Sequence, residues 1–91
     1  MKATGIHMRL GCNNSDNVLE IDSIYIEGCS NPGWFKKEDI HDYLKKNPNT
    51  IYVNRSPFPY LIPATSAYGE KYVRSEPNDT VNDNLLKLPR Y

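Results

Sequence analysis

Ninety-one residues with eleven basic and eleven acidic side chains make a chain of zero formal charge, of which 38% is hydrophobic. That length fits one small domain, residues 1–91, with one modest core and little room for a deep substrate cavity beside it. The charges are spread evenly, six basic and seven acidic through Thr50 and five and four after it, so the chain lacks the cationic surplus that general nucleic-acid binding needs.

In chain order, the first element is a strand from Thr4 to Leu10, where Ile6, Met8 and Leu10 alternate with Gly5, His7 and Arg9. The polar run Gly11-Cys12-Asn13-Asn14-Ser15-Asp16-Asn17 is a turn. Val18 to Glu27 predicts a second strand with a fault: Leu19 and Ile21 share one parity, Ile24 and Ile26 the other. A β-bulge near Asp22-Ser23 resets the alternation and brings both pairs to the core side. The two strands form an antiparallel hairpin. Cys12 then lies near its turn and Cys29 at its open end, too far apart for a disulfide, so two free thiols are expected.

A helix follows, from about Phe35 to Lys46, with an apolar stripe of Ile40, Tyr43 and Leu44 that Trp34 or Phe35 extends. Glu38 and Asp39 near its start and Lys45 and Lys46 near its end match the helix dipole, and Asn47-Pro48-Asn49 ends it. Thr50 to Asn54 is a short strand with Ile51 and Val53 inward. The run Ser56 to Pro63 carries Pro57, Pro59 and Pro63, which confines any strand there to a sheet edge. Lys71 to Ser75 is the last strand, returning through Tyr68-Gly69. From Val81 to Leu88, a helical turn bearing Val81, Leu85 and Leu88 caps the core. The fold expectation is α+β: a mostly antiparallel sheet of four to five strands in the order ββαββ, packed by one helix, with a short helical turn at the C-terminus.

Few residues announce chemistry. His7 and His41 have no partner at a metal-ligand spacing, so no metal is expected. No nucleophile motif or phosphate-binding glycine loop is present. Asp79, Asn82, Asp83 and Asn84 form a polar cluster, read as turn and cap residues before a cation or acid–base site. No enzymatic activity and no cofactor are expected. No segment approaches the ~20 apolar residues of a membrane span, and Met1-Lys2-Ala3-Thr4-Gly5 lacks the apolar run of a secretion signal. The expected setting is the cytoplasm.

Aromatic content is what points to recognition: seven tyrosines, two phenylalanines and one tryptophan. Tyr25, Tyr52 and Tyr72 fall on the parity opposite their strands' core residues, and Arg74 shares the face of Tyr72. Tyr and Arg give large contact area with a polar tip. The alternation leaves open whether Tyr72 and Arg74 are exposed contacts or lie under the helix.

The segments Lys71-Tyr72-Val73-Arg74-Ser75 and Asp83-Asn84-Leu85-Leu86-Lys87-Leu88-Pro89 resemble the closing motif of a family known as domain of unknown function 3892. Its pattern runs K-Y-L-R-T, a proline-aspartate turn, then D-N-L-L-x-L-P. Trp34 before the helix and Tyr52-Val53 after it fit the same layout. Val73 and Ser75 stand where the family has Leu and Thr, and Phe35 where it has a capping Ser or Thr. The resemblance implies Trp34, Asp83, Asn84 and Pro89 as structural motif residues and implies no activity.

Together these features predict a binding module, acting in protein–protein interaction, inhibition or regulation through Tyr25, Tyr52, Tyr72 and Arg74. The alternative is a small-molecule or nucleotide binder, a sequestering protein of the kind phages deploy, in which rings stack bases, Arg pairs with phosphate and a homo-oligomer builds the pocket.

Overall fold

A computed structural model of the protein describes residues 1–76 and 83–91. Strands β1 (Lys2–Met8) and β2 (Ile21–Glu27) pair antiparallel, and two bulges decide which way their side chains point. His7 faces Ser23 and Met8 faces Ile21, so Asp22 is the extra residue on β2, at the position the broken alternation predicts. On β1, Thr4 is extra between the pairs Ala3–Ile26 and Gly5–Tyr25. Ala3, Ile6, Met8, Ile21, Ile24 and Ile26 therefore all reach the core. Gly5, His7, Ser23 and Tyr25 take the opposite face.

The first strand is shifted from its expected span. It ends at Met8, and Leu10 is fully exposed in a turn closed by Cys12 N–H donating to the Arg9 carbonyl, with Gly11 at φ 80°. Leu19 is also not a strand residue. It belongs to a 3-10 turn, Val18–Glu20, capped by the Asn17 side chain, which accepts from Leu19 N–H at 3.0 Å.

Strand β3 (Gly33–Lys36) is the element that the helical pattern concealed. Trp34 and Phe35 do not open the helix; they pair with Tyr25 and Ile24 of β2. Large aromatic residues suit a pleated, half-buried surface, and the neighbouring strand offered a free edge. Helix α1 (Lys37–Lys46) starts directly after, and its buried stripe is Lys37, Ile40, His41 and Leu44. Tyr43, expected in that stripe, is 39% exposed.

Strand β4 (Tyr52–Val53) runs parallel to β1 and completes a four-stranded sheet in the order β3-β2-β1-β4. Strands β5 (Leu61–Thr65) and β6 (Lys71–Ser75) form a separate antiparallel hairpin. It turns through Ser66–Glu70 with Gly69 at φ 84°. Pro63 sits in β5, whose one strand partner is β6, in keeping with an edge position.

Among the described residues the protein is thus α+β, with one α-helix and six strands divided between two sheets. Helix α1 packs on the β5–β6 hairpin and on the inner face of the larger sheet at β2 and β3. A second 3-10 turn, Asn84–Lys87, places Leu85, Leu86 and Leu88 in the core. Asp79, Val81 and Asn82 lie outside the described residues. The tail then runs beside β1, with Ile6 N–H donating to the Pro89 carbonyl at 2.9 Å and Tyr91 N–H to the Ile6 carbonyl at 3.0 Å. Cys12 and Cys29 are both free thiols.

Candidate recognition face

Helix α1 packs against the inner face of the four-stranded sheet at β2 and β3, and the outer face carries a different set of side chains. Gly5, Tyr25 and Trp34 stand directly opposite one another on β1, β2 and β3. The rings of Tyr25 and Trp34 meet edge to face, with centroids 5.4 Å apart at 79°. Tyr91 reaches Trp34 from the C-terminal tail at 5.7 Å and 73°, and His7 reaches it from β1 at 5.7 Å and 55°. Such pairs add roughly 0.5–1.5 kcal/mol beyond the area they bury. Trp34 is the hub of this cluster and keeps 44% of its surface in solvent.

Gly5 explains how a terminal residue comes to lie on a sheet. A β-carbon at this position would stand 2.7 Å from Cε2 of the Tyr91 ring and 3.2 Å from Cδ2. Glycine inside a strand marks a close approach, and here the approaching group is the last side chain of the sequence. The rim carries both signs: Lys2 opposite Glu27, and the exposed Lys36 beyond Trp34.

The four residues singled out from the sequence fall in three separate places. Tyr25 belongs to the Trp34 cluster. Tyr52 is on β4 and packs edge to face with Phe58 at 6.2 Å; with Tyr60 they line an open hollow of about 420 Å³. Tyr72 and Arg74 do share a face of β6, where both are half-buried beside a polar hollow of about 280 Å³ that Asp16, Asn17 and Asp83 also line.

The motif residues have structural work. The Asp83 carboxylate accepts from Ser75 N–H at 3.1 Å, from the Ser75 hydroxyl at 2.6 Å and from Leu85 N–H at 2.9 Å, binding the second 3-10 turn to β6. Pro89 anchors the tail to β1, as described. Asn84 is completely buried, and neither polar atom of its amide has a hydrogen-bond partner among the described residues.

Elsewhere the titratable groups hold elements together. Lys37 is 1% exposed, and its ammonium donates to the Leu19 carbonyl and to Glu70 Oε2, both at 2.6 Å. That hydrogen bond, reinforced by the charges of Lys37 and Arg9, holds the Glu70 carboxyl below its ordinary value. The Asp42 carboxyl is lowered by a hydrogen bond from Lys71 at 2.9 Å and then by one with His41. Burial pushes the Cys12 thiol up, and Glu20 adds to the shift, the reverse of what an activated nucleophile needs. Among the described residues, no three His, Cys, Asp or Glu side chains come together as a metal site requires. No described helix is long and apolar enough to cross a membrane.

The geometry defines a small α+β fold whose four-stranded sheet carries a cluster of rings on its outer face. The chain belongs to the family described as "Protein of unknown function (DUF3892)", whose profile matches residues 6–89. No curated protein and no solved structure matches it.

Proposed function

We propose that this chain is a non-enzymatic binding module, set in the cytoplasm, whose partner is another protein held on the outer sheet face around Trp34. The observation that carries the reading is the position of Trp34, almost half exposed at the centre of His7, Tyr25 and Tyr91. Binding energy at protein interfaces concentrates in Trp and Tyr residues encircled by neighbours that exclude water. The mixed charges at the rim suit a polypeptide better than a run of phosphates.

A photo-crosslinking residue in place of the exposed His7 tests this, with Lys45 on the solvent side of α1 as the control position. One protein cross-linked from position 7 and absent from position 45 is the expected result. Equal labelling from both positions, or labelling from 45 alone, defeats the reading.

The exposure of the Trp34 ring also favours a second reading, in which a nucleotide or other planar small molecule stacks there. It ranks second because the ring already meets three others at steep angles. Trp34 is the sole tryptophan, so saturable quenching of its emission by a nucleotide would reverse that ranking.

A further inference from the structure

The two edges of the four-stranded sheet are treated differently. Beyond β4, Val53 N–H donates to the Pro59 carbonyl and Leu61 N–H to the Ile51 carbonyl, both at 2.8 Å, and the tail pairs with Ile6 on the same side. Beyond β3, no described strand pairs. Bare edges invite pairing with another chain, and the hydrogen-bond directions show what this one presents.

Ile6 gives its N–H and its carbonyl to the C-terminal tail, and the Ala3 carbonyl accepts from Asn54 N–H on that same side. Neither residue therefore bonds toward β2. Their partners there, Ile24 and Ile26, must direct their backbone groups toward β3 and so engage Phe35 and Gly33. Alternation leaves the N–H and carbonyl of Trp34 pointing off the sheet, together with the N–H of Lys36. Continued one residue back, it turns the Pro32 carbonyl the same way.

We propose that two copies of this chain pair antiparallel through their β3 edges, about a two-fold axis at Trp34, joining the two sheets into one of eight strands. In that register Trp34 exchanges both hydrogen bonds with the partner's Trp34, and each Lys36 N–H meets the Pro32 carbonyl of the other copy. The groups missing from the edge also match. Pro32 has no N–H, and the Lys36 carbonyl that it would face is already committed, as the helix N-cap, to the first turn of α1. On the inner side, Phe35, 37% exposed, stands opposite Gly33 of the other copy, where a β-carbon would meet nothing within 4 Å. Phe35 fills that space. On the outer side, the partner's Trp34 extends each ring cluster into one band across the two-fold axis. The contact is isologous and closed. It does not rest on the reading of the outer face as a site for a different protein.

Two substitutions test the pairing and spare the monomer. Gly33→Asp adds a side chain to open space and puts a charge where Phe35 of the other copy would sit. Lys36→Pro removes one edge N–H at a residue whose φ of −66° is proline's own. Sedimentation equilibrium over a dilution series is expected to give twice the 10.5 kDa chain mass for the wild type. Lys36→Pro, which loses two hydrogen bonds per dimer, is expected to weaken self-association about tenfold or more, and Gly33→Asp to abolish it, both with unchanged far-ultraviolet circular dichroism. A wild type that stays monomeric at every concentration, or variants that dimerise as it does, would overturn the proposal. Should Gly33→Asp be monomeric and still cross-link its protein partner from position 7, the pairing and the outer-face reading are separated.

Discussion

Replacing Lys37 with Met removes a buried ammonium and keeps the length of the side chain. Lys37 occupies the first position of α1, and its amine ties the helix to the first 3-10 turn through the Leu19 carbonyl and to the β5–β6 turn through Glu70. The Met stem retains most of the packing. Two hydrogen bonds from a charged donor are lost; such bonds contribute about 1.5–3 kcal/mol net of desolvation, and with the Glu70 end partly in solvent the loss is about 2 kcal/mol. For a domain of this size, each kcal/mol moves the melting temperature by about 4–8 °C, so Lys37→Met should melt about 8–16 °C below the wild type at neutral pH.

The pH dependence has a defined sign. The Glu70 carboxyl is lowered in the folded state from its ordinary 4.5, chiefly by the Lys37 hydrogen bond. Its contribution is therefore complete above that ordinary value and is lost as pH falls through the lower, folded value. The wild type loses this contribution in acid, and the variant, in which Glu70 keeps only its pairing with Arg9, has less to lose. The gap between their melting temperatures should accordingly narrow below pH 4.5. Thermal melts followed by circular dichroism measure both effects. A variant within about 2 °C of the wild type at neutral pH, or a gap that widens in acid, would refute the reasoning.

Asp83→Ala strips the cap of the second 3-10 turn and the hydrogen bonds to Ser75. It should cost about 1–2 kcal/mol in urea unfolding, with a full-stability variant contradicting the role given to this motif residue. Gly5→Ala should expel the Tyr91 ring, since its β-carbon would stand 2.7 Å from that ring. The measurable sign is a red shift of Trp34 emission as water reaches the indole, and unchanged emission would mean that Tyr91 does not lie over Gly5.

The parts of the fold written in local pattern were legible from the sequence. The Asp22 bulge follows from two apolar pairs on opposite parities, the β5–β6 hairpin from its proline-bearing edge and Gly69, and the helix from its dipole-matched charges. What escaped depends on contacts distant in sequence. Trp34 and Phe35 extend a helical stripe when read locally, and only the neighbouring β2 edge makes them a strand. Lys37 hides in the core because its amine finds acceptors on two other elements, an outcome no periodicity encodes. Within the candidate site, Tyr25 was legible from parity. Tyr91 was not, since its place depends on the tail pairing with β1; the one local sign was a glycine in the middle of a strand. Tyr52, Tyr72 and Arg74 share their parity argument with Tyr25 but sit elsewhere, because parity fixes the side of a strand and says nothing of which sheet it joins.

The most direct test of the outer face as a protein-binding surface is quantitative affinity capture from the protein's own cells. It compares the wild type, Trp34→Ala and the double variant Tyr72→Ala/Arg74→Ala, each confirmed folded by circular dichroism. A partner retained by the wild type and the double variant, and reduced at least about tenfold by Trp34→Ala as for a truncated hot-spot residue, is the predicted result. Equal capture by Trp34→Ala and the wild type, or loss in the β6 variant alone, would contradict the account.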